Sequence, residues 1–350
     1  MTSKRKRRDV SRRRVLASAA GVAGFGLAGC VGAGSESGED GEAEGGDGEN
    51  AEYSVTASFF TFYDFARKVA DGTPVAVENL VPTGLHGHGW EPDPSITRDI
   101  IDSDAFVHVG PDFQPWADRA IETVRSDDAD TRLIDAREGV DLIDLADTVE
   151  EDEEVDRGKD PHFWLDPQRA KRSVDNIAAG ISGIAPDHEE AFVENADAIK
   201  AELDDLDAEW ESIVAEAERD VTFFAAHNAF EYVGQRYGVT IQPLVSNLAA
   251  DDDVRPADMR RAQETIADND IRYIGAAVFE PRRPARQLVE ETDVEAYYPV
   301  TPYAGTTEEW VDRGWGYFEI ARNINTKTFG IALGATEPDA DFDEEWRNFE

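Results

Sequence analysis

PDHEEAFVENADAIKAELDDLDAEWESIVAEAE, residues 186–218, is the stretch that decides the fold. Its apolar positions recur every three or four residues, which is the spacing along one face of an α-helix. These positions are Phe192, Ala196, Ile199, Leu203, Leu206, Trp210, Ile213 and Val214. A helix of ~30 residues runs ~45 Å, long enough to cross two domains. We therefore predict a linking helix over 186–218 with one domain on each side.

Short apolar runs alternate with helical patterns on both sides of this helix. Before it, the runs 53–59, 75–81 and 105–109 are strand-like, and 62–71 and 94–103 are helical. After it, the runs 221–225, 241–245 and 271–279 are strand-like, and 230–237 and 256–268 are helical. Such alternation is typical of a parallel sheet covered by helices. The predicted fold class is α/β, with two lobes at 53–185 and 219–335, each built on a parallel sheet.

The first 29 residues have the features of an export signal. A basic segment containing Ser11-Arg12-Arg13-Arg14-Val15-Leu16 fits the twin-arginine pattern, and a short, glycine-rich apolar stretch follows it. That stretch is too short to span a membrane comfortably and ends in Leu27-Ala28-Gly29-Cys30, which resembles a lipobox. We predict cleavage before Cys30 and a lipid on its thiol, which would hold the protein on the outer face of the cytoplasmic membrane. The alternative is an uncleaved anchor in which Cys30 is an incidental thiol.

Composition bounds the partners and the setting. The chain carries a formal net charge of −41, and removal of the signal leaves 26 basic and 74 acidic residues, a net charge of −48. Such a surface repels nucleic acid, so we expect no nucleic-acid partner. Molar salt shortens the Debye length to about 3 Å and would screen the self-repulsion, which predicts a halophilic source. Cys30 is the only cysteine, so the mature fold contains no internal disulfide.

The two ends of the mature chain are acidic. Residues 30–52 are rich in Gly, Glu, Asp and Ser and cannot bury enough apolar surface to fold, so they are predicted to form a disordered linker. Residues 336–350 are predicted to form a loosely held acidic tail, although Trp346 and Phe349 could dock on the body. We expect the protein to be a monomer.

Three of the six histidines lie in turns or after strand-like runs. They are His88 in HGHGWEP, His162 in DPHFWLDP and His227 in AAHNAFEY. In parallel α/β sheets the carboxyl ends of the strands face the crevice where ligands bind. Neutral imidazole is the commonest protein ligand for zinc and its neighbours. These positions predict one metal site between the lobes; the alternative is three unrelated histidines.

Five segments in this order resemble the metal-specific solute-binding lipoproteins of ABC importers, the zinc- and manganese-uptake family. They are HGWEP at 88–92, DPHFWLDP at 160–167, HNAFEYVGQRYG at 227–238, VFEP at 278–281 and NIN at 323–325. The resemblance covers nearly all of residues 53–330. It implies two α/β lobes joined by a rigid helix, with His88, His162 and His227 at the first three ligand positions. It also implies an ABC permease and a cytoplasmic ATPase as partners, and no catalysed reaction.

The fourth ligand position departs from the family pattern. The family commonly has an aspartate where this chain has Thr301, and a neutral hydroxyl is a poor ligand. Glu280 is the nearest carboxylate that aligns with the family, and it is predicted either as a direct ligand or as a hydrogen-bond acceptor or helix-start cap. More distant candidates are residues 251–253, and water could complete the shell.

The donor set bears on the metal and on the neighbouring residues. Three imidazoles with one oxygen suit tetrahedral Zn²⁺, whereas Mn²⁺ prefers more carboxylate oxygen, so Zn²⁺ is the first choice and Mn²⁺ or Fe²⁺ the second. The acidic run 150–156 lies where zinc-binding relatives often carry a His-rich loop, and it is predicted to be a solvated loop. His86 is predicted to point away from His88 in an extended segment and to be a solvent-exposed loop residue; the alternative is a residue at the mouth of the site that feeds the ion inward. His108 is predicted to be a core histidine.

These observations predict an exported receptor that captures a divalent metal and passes it to a permease. Two other classes remain open. A zinc hydrolase would use Glu280 as general base, although the chain has no HExxH motif. A surface adhesin is not excluded by the acidic composition.

Overall fold

The computed structural model describes residues 51–87, 90–145, 158–246 and 254–350. Several predicted features lie outside these residues: the export signal, Cys30, almost all of the linker 30–52, His88, the acidic run 150–156 and residues 251–253. Within the described part of the chain, no helix is long and apolar enough to cross a membrane.

The first half of the chain builds a four-stranded parallel sheet. Its strands are β1 (Tyr53–Ala57), β2 (Val75–Asn79), β3 (Ala105–His108) and β4 (Arg132–Asp135), in the spatial order β2-β1-β3-β4. The helices are α1 (Phe60–Val69), α2 (Ile96–Asp102), α3 (Pro115–Ser126) and α4 (Pro167–Ser182). Helix α4 begins where the sequence favours it: Pro167 occupies the first turn, and the Asp166 carboxylate accepts from the backbone N–H groups of Gln168 and Arg169.

The second half repeats the same strand order. Its strands are β5 (Val221–Ala225), β6 (Thr240–Pro243), β7 (Tyr273–Ala277) and β8 (Ala296–Val300), arranged β6-β5-β7-β8 and all parallel. The helices that belong to this half are α6 (Glu231–Tyr237), α7 (Pro256–Asp268) and α8 (Arg283–Glu291). Helix α6 ends at Gly238, whose φ of +73° is the left-handed conformation that glycine adopts without strain. Two parallel sheets covered by helices confirm the predicted fold class.

The linking helix α5 runs over Glu189–Glu216 and follows a 3₁₀ turn at Pro186–His188. It packs on α1 and α4 of the first half and on α6 of the second. Its Asp207 accepts hydrogen bonds from the Arg236 guanidinium of α6, and Arg236 also lies 3.5 Å from Asp166 at the start of α4. The Arg236 guanidinium therefore connects the linking helix to both halves of the chain.

The last part of the chain returns to the body. It contains α9 (Glu308–Asp312), α10 (Tyr317–Ile320), a π-helical turn (Ala321–Asn325), α11 (Thr326–Ala332) and α12 (Ala340–Trp346). Helix α12 is anchored, because Phe342 and Trp346 are buried and the Tyr298 hydroxyl bonds the Asp343 carboxylate. The structure therefore holds the acidic end more firmly than the sequence predicts, by docking its aromatic face. The domain boundaries themselves stay a prediction.

Candidate metal site

His227 stands where the strand order of the second sheet reverses. It follows β5 by two residues, and Glu280 follows the neighbouring strand β7 by three. Since β5 and β7 are adjacent and parallel, the chain leaves both strands at the same edge of the sheet. The point between such strands is the usual ligand crevice of an α/β sheet. The topology therefore brings together two residues that are 53 positions apart in sequence.

Glu280 holds the ring of His227 in one orientation. Its Oε1 lies 2.6 Å from His227 Nδ1, and its Oε2 accepts from the His227 backbone N–H at 3.1 Å. A carboxylate oxygen only accepts, so Nδ1 carries the proton and Nε2 keeps its lone pair. His227 is 1% exposed, and its Nε2 is buried with no hydrogen-bond partner among the described residues. A buried nitrogen lone pair without a donor is the group that a metal ion satisfies.

His162 has the same arrangement made from local sequence. Asp160 Oδ1 lies 2.9 Å from both the backbone nitrogen and Nδ1 of His162, so Nε2 is the ring nitrogen that this carboxylate leaves for a ligand. Burial lowers the pKa of His162 below its ordinary value, although the nearby Asp160 carboxylate opposes this shift and His227 adds to it. The imidazole is therefore neutral at pH 7, as a metal ligand must be.

The DPHFWLDP segment is bonded to the second half of the chain on both sides of His162. The Tyr232 hydroxyl donates to the Asp160 carbonyl at 2.7 Å, and the Trp164 indole donates to the Pro302 carbonyl at 2.6 Å. Both Tyr232 and Trp164 are fully buried. These contacts fix the position of His162 relative to the second sheet.

The two rings are spaced as ligands of one ion would be. The ring centroids of His162 and His227 are 5.6 Å apart with planes inclined by 45°. Zn–N bonds of about 2.0–2.1 Å at a tetrahedral angle would place two imidazole centroids about 5 Å apart. The observed spacing of 5.6 Å is close to this value, as is expected of two imidazoles that share one cation.

His86 departs from its sequence prediction. The side chain is half-buried, and its ring lies 5.5 Å from that of His227 at 87° and 6.3 Å from Phe279. The expectation of a solvent-exposed loop residue is wrong, because the ring of His86 packs against the rings of His227 and Phe279.

Thr301 is buried and hydrogen-bonded within the second half of the chain. Its side chain is fully buried, and its hydroxyl oxygen accepts from the Tyr303 backbone N–H at 3.1 Å. The Asn325 side chain accepts from the Thr301 N–H at 3.0 Å and donates to its carbonyl at 2.8 Å. The family resemblance draws attention to Thr301 and to Asn325 separately, but only the structure shows that they are hydrogen-bonded to each other. Asn325 therefore positions the segment that follows β8.

The described residues include part of the predicted ligand set. His162 and His227 come together with Glu280 behind His227, whereas His88 lies outside the described residues. Within the described ranges, no three His, Cys, Asp or Glu side chains form a group that could already hold an ion. Sequence reasoning missed the role of Asp160, which stands two residues before His162 in the same motif. The spacing was visible in the sequence, since an Asp two residues before a histidine can reach its backbone N–H.

The sequence of this chain is similar to a known protein family. The family model described as zinc-uptake complex component A, periplasmic, matches residues 55–329. The high-affinity zinc uptake system protein ZnuA of Bacillus subtilis is 26% identical over 273 residues, covering 77% of this chain and 84% of that protein. The zinc-binding lipoprotein AdcA of Streptococcus pneumoniae strain R6 is 28% identical over 278 residues, 77% of this chain but only 54% of AdcA. The chain thus spans about half the length of AdcA.

A solved structure shows the same similarity in three dimensions. The crystal structure of the Zn(II)-bound ZnuA-like domain of Streptococcus pneumoniae AdcA superposes with a TM-score of 0.68 at 26% identity. The superposition covers 81% of this chain and 99% of that domain. The part of AdcA that this chain resembles is therefore its ZnuA-like domain.

Proposed function

Since the chain belongs to the zinc-uptake component A family, whose model matches residues 55–329, we propose that it captures Zn²⁺ in the cleft between its two sheets and delivers it to an ABC permease. The ion is cargo and not a resident cofactor. In this proposal the cleft binds the ion and does not catalyse a reaction.

One observation carries this proposal. His162 and His227, from opposite halves of the chain, each turn a protonated Nδ1 to a carboxylate, which leaves Nε2 for an ion, and their rings lie 5.6 Å apart. His88 would supply the third imidazole from the loop after β2. An ion bound by residues from both halves would hold the two halves together. A transport receptor needs such a difference between its loaded and its empty state.

Asp160 and Glu280 would act behind the ligands. A carboxylate on Nδ1 fixes the tautomer, aims the ring and makes Nε2 a stronger donor. Both oxygens of Glu280 are directed at His227, so these contacts favour the acceptor role over direct ligation. The two carboxylates would also balance the charge of a divalent ion bound to neutral imidazoles.

The donor set favours Zn²⁺ over Mn²⁺ or Fe²⁺. Buried imidazoles suit zinc, and manganese prefers sites richer in carboxylate oxygen. Among the described residues near the rings, the carboxylates of Asp160 and Glu280 are both engaged by Nδ1 atoms. Manganese remains the second choice, with lower affinity expected.

We propose that the site catalyses no reaction. A hydrolase needs a general base next to metal-bound water. The Glu280 carboxylate instead contacts Nδ1 of His227, across the ring from the nitrogen that would bind the ion.

Export and anchoring complete the proposal. The twin-arginine segment would direct export, and a lipid on Cys30 would hold the acidic body near the permease by the linker 30–52. Signal removal and lipid attachment are tested by mass spectrometry of the protein from membranes, in which the mature chain begins at the modified Cys30. A chain that retains residues 1–29 contradicts this part of the proposal alone.

The central test is metal analysis and calorimetric titration of the chelator-stripped protein in high salt. We expect one Zn²⁺ per chain, and loss of tight binding in His162→Ala. His188→Ala, which changes a histidine at the start of α5 outside the cleft, is the matched control and binds as the wild type does. Tight one-to-one binding by folded His162→Ala would overturn the proposal.

A further inference from the structure

The segment that carries Glu280 is bonded to one arginine. Arg282 stands just before α8, and its Nη1 donates to the Glu280 carbonyl at 2.9 Å while its Nη2 donates to the Val278 carbonyl. The Val278 N–H in turn donates to the Val300 carbonyl of β8 at 3.0 Å. Hydrogen bonds from a charged donor are stronger than those between neutral groups, and the planar guanidinium fixes the direction of both. The Arg282 guanidinium therefore fixes the backbone from which the Glu280 carboxylate extends.

The guanidinium of Arg282 is covered by an aromatic ring. Its Cζ lies 4.6 Å from the centroid of the Phe349 ring, within the range of cation–π attraction. Its Nε is buried and has no hydrogen-bond partner within the described ranges. Burial lowers the pKa of Arg282 from its ordinary value, against the opposing effects of Tyr297 and Glu350, but an arginine stays charged at neutral pH. Cation–π attraction is larger for a cation that is removed from water, so Phe349 restricts the position of Arg282.

Phe349 is itself fixed on the edge of the second sheet. The edge strand is β8, and its Tyr297 exchanges two hydrogen bonds with Asn348. The Asn348 N–H donates to the Tyr297 carbonyl at 2.9 Å, and the Tyr297 N–H donates to the Asn348 side-chain oxygen at 3.1 Å. The Tyr297 hydroxyl donates to the Phe349 carbonyl at 3.2 Å, and their rings lie 5.7 Å apart at 67°. These contacts hold the Phe349 ring over Arg282.

We propose that Arg282 is a positioning residue for metal capture, which holds Glu280 against Nδ1 of His227, and that Phe349 keeps Arg282 in place. This inference rests on the proposed function, because Glu280 orients the ring of His227 in the cleft. The contacts run from the Phe349 ring to the Arg282 guanidinium, then to the backbone of 278–280, and then through the Glu280 carboxylate to His227. The acidic segment 336–350 would thus contribute to Zn²⁺ affinity without approaching the ion.

The experiment compares Arg282→Met with Arg272→Met. Arg272 is a matched control, because it precedes β7 at the end away from Glu280 and also places its guanidinium over an aromatic ring, 5.1 Å from the centroid of Tyr273. Zn²⁺ affinity is measured by chelator competition in high salt. NMR of the metal-free protein follows the ring N–H protons of His227 and His162, each identified by its loss in the corresponding alanine variant.

Arg282→Met should move the His227 ring N–H resonance, because the Glu280 carboxylate loses its fixed position. The His162 resonance should stay unchanged, since Asp160 holds that ring independently. Zn²⁺ binding should weaken about tenfold, the lower end of the ~10–100-fold loss expected when a group behind a ligand is disturbed. Arg272→Met should leave both resonances and the affinity unchanged.

Two changes of Phe349 test the ring that covers Arg282, and they decide the question if Arg282→Met does not fold. Phe349→Leu keeps an apolar side chain but has no aromatic face. It should move the His227 resonance in the same direction by a smaller amount and weaken Zn²⁺ binding severalfold. Phe349→Tyr keeps the aromatic face and should match the wild type in both measurements.

The outcomes separate a positioning role from a purely structural one. A residue that served only the start of α8 would lower stability and leave the His227 ring unchanged. Equal resonances and affinities in Arg282→Met and Arg272→Met, or in the two Phe349 variants, would therefore overturn the inference. Loss of the proposed function would instead appear as tight Zn²⁺ binding by folded His162→Ala, which leaves the comparison of resonances unaffected.

Discussion

The two histidines that meet in the cleft are held in the same way by groups of different origin. Asp160 reaches His162 from two residues away, within one turn of the chain. Glu280 reaches His227 from 53 residues away, on the neighbouring strand. Half of the candidate site is therefore encoded in a short motif, and the other half exists only after the second sheet has formed. The Asp160–His162 pair can therefore be recognised in the sequence alone. The Glu280–His227 pair can be recognised only once the fold is known.

Removal of either ring should have the largest effect on binding. His227→Ala, like His162→Ala, takes one of the two buried donors from the cleft, and we expect tight Zn²⁺ binding to be lost in both. Calorimetry in high salt measures this loss, and far-UV circular dichroism checks the fold. Tight Zn²⁺ binding by folded His227→Ala would contradict the proposal, as it would for His162→Ala.

His108 shows what burial does to a histidine without a carboxylate on its ring. Its Nδ1 is buried with no hydrogen-bond partner among the described residues. Burial lowers its pKa to about 4, against the attraction of Asp135. Because the unfolded chain binds this proton from about pH 6.5 downward, stability should fall between about pH 6.5 and 4, by up to roughly 3 kcal/mol.

The pH prediction is tested by comparing the stability of the wild type with that of a variant that lacks His108. Thermal unfolding of the wild type and His108→Leu is followed from pH 7 to 4 at constant high salt. The many carboxylates contribute equally to both proteins, so the wild type should lose more stability than the variant across this interval. Parallel curves would contradict it.

Removing the backing charges should have an intermediate effect. Asp160→Asn and Glu280→Gln keep the shape of each side chain but offer an amide to Nδ1, and each should lower Zn²⁺ affinity ~10–100-fold. Chelator competition measures both. Glu280→Gln should also lower the free energy of unfolding, by about 1–3 kcal/mol, because it weakens a contact between neighbouring strands. A total loss of binding in Glu280→Gln would favour direct ligation.

Tyr232→Phe tests the smallest expected effect on binding. The Tyr232 hydroxyl donates to the Asp160 carbonyl and accepts from the Ile143 N–H at 3.1 Å. Its removal leaves buried groups unpaired and should cost about 1–3 kcal/mol of stability. Zn²⁺ affinity should fall only severalfold, because both rings keep their carboxylates.

The control for Tyr232→Phe is Tyr53→Phe. Tyr53 begins β1, at the end of the first sheet away from the site, and its loss should leave affinity unchanged. Denaturant unfolding and chelator competition report the two quantities separately. A Tyr232→Phe protein as stable as the control would show that this hydroxyl does not hold the halves together.

Periodicity predicted the linking helix and six of the eight strands, because each of these strands lies in a short apolar run and the helix has a regular apolar face. It missed β4 and β8 for physical reasons. β4 is a short edge strand with only one buried residue, and β8 contains Pro299, which an edge strand tolerates because one side needs no hydrogen bonds. His162 and His227 were accessible from motifs and strand ends. The placement of His86 was not, because it depends on a turn fastened to residues more than 200 positions later.

The indole of Trp164 gives the cleft a mechanical property. Its hydrogen bond joins the motif of His162 to Pro302, which directly follows the buried Thr301. The segment at 301–302 therefore cannot shift away from the first half of the chain without either breaking this hydrogen bond or carrying Trp164, two residues from His162, along with it.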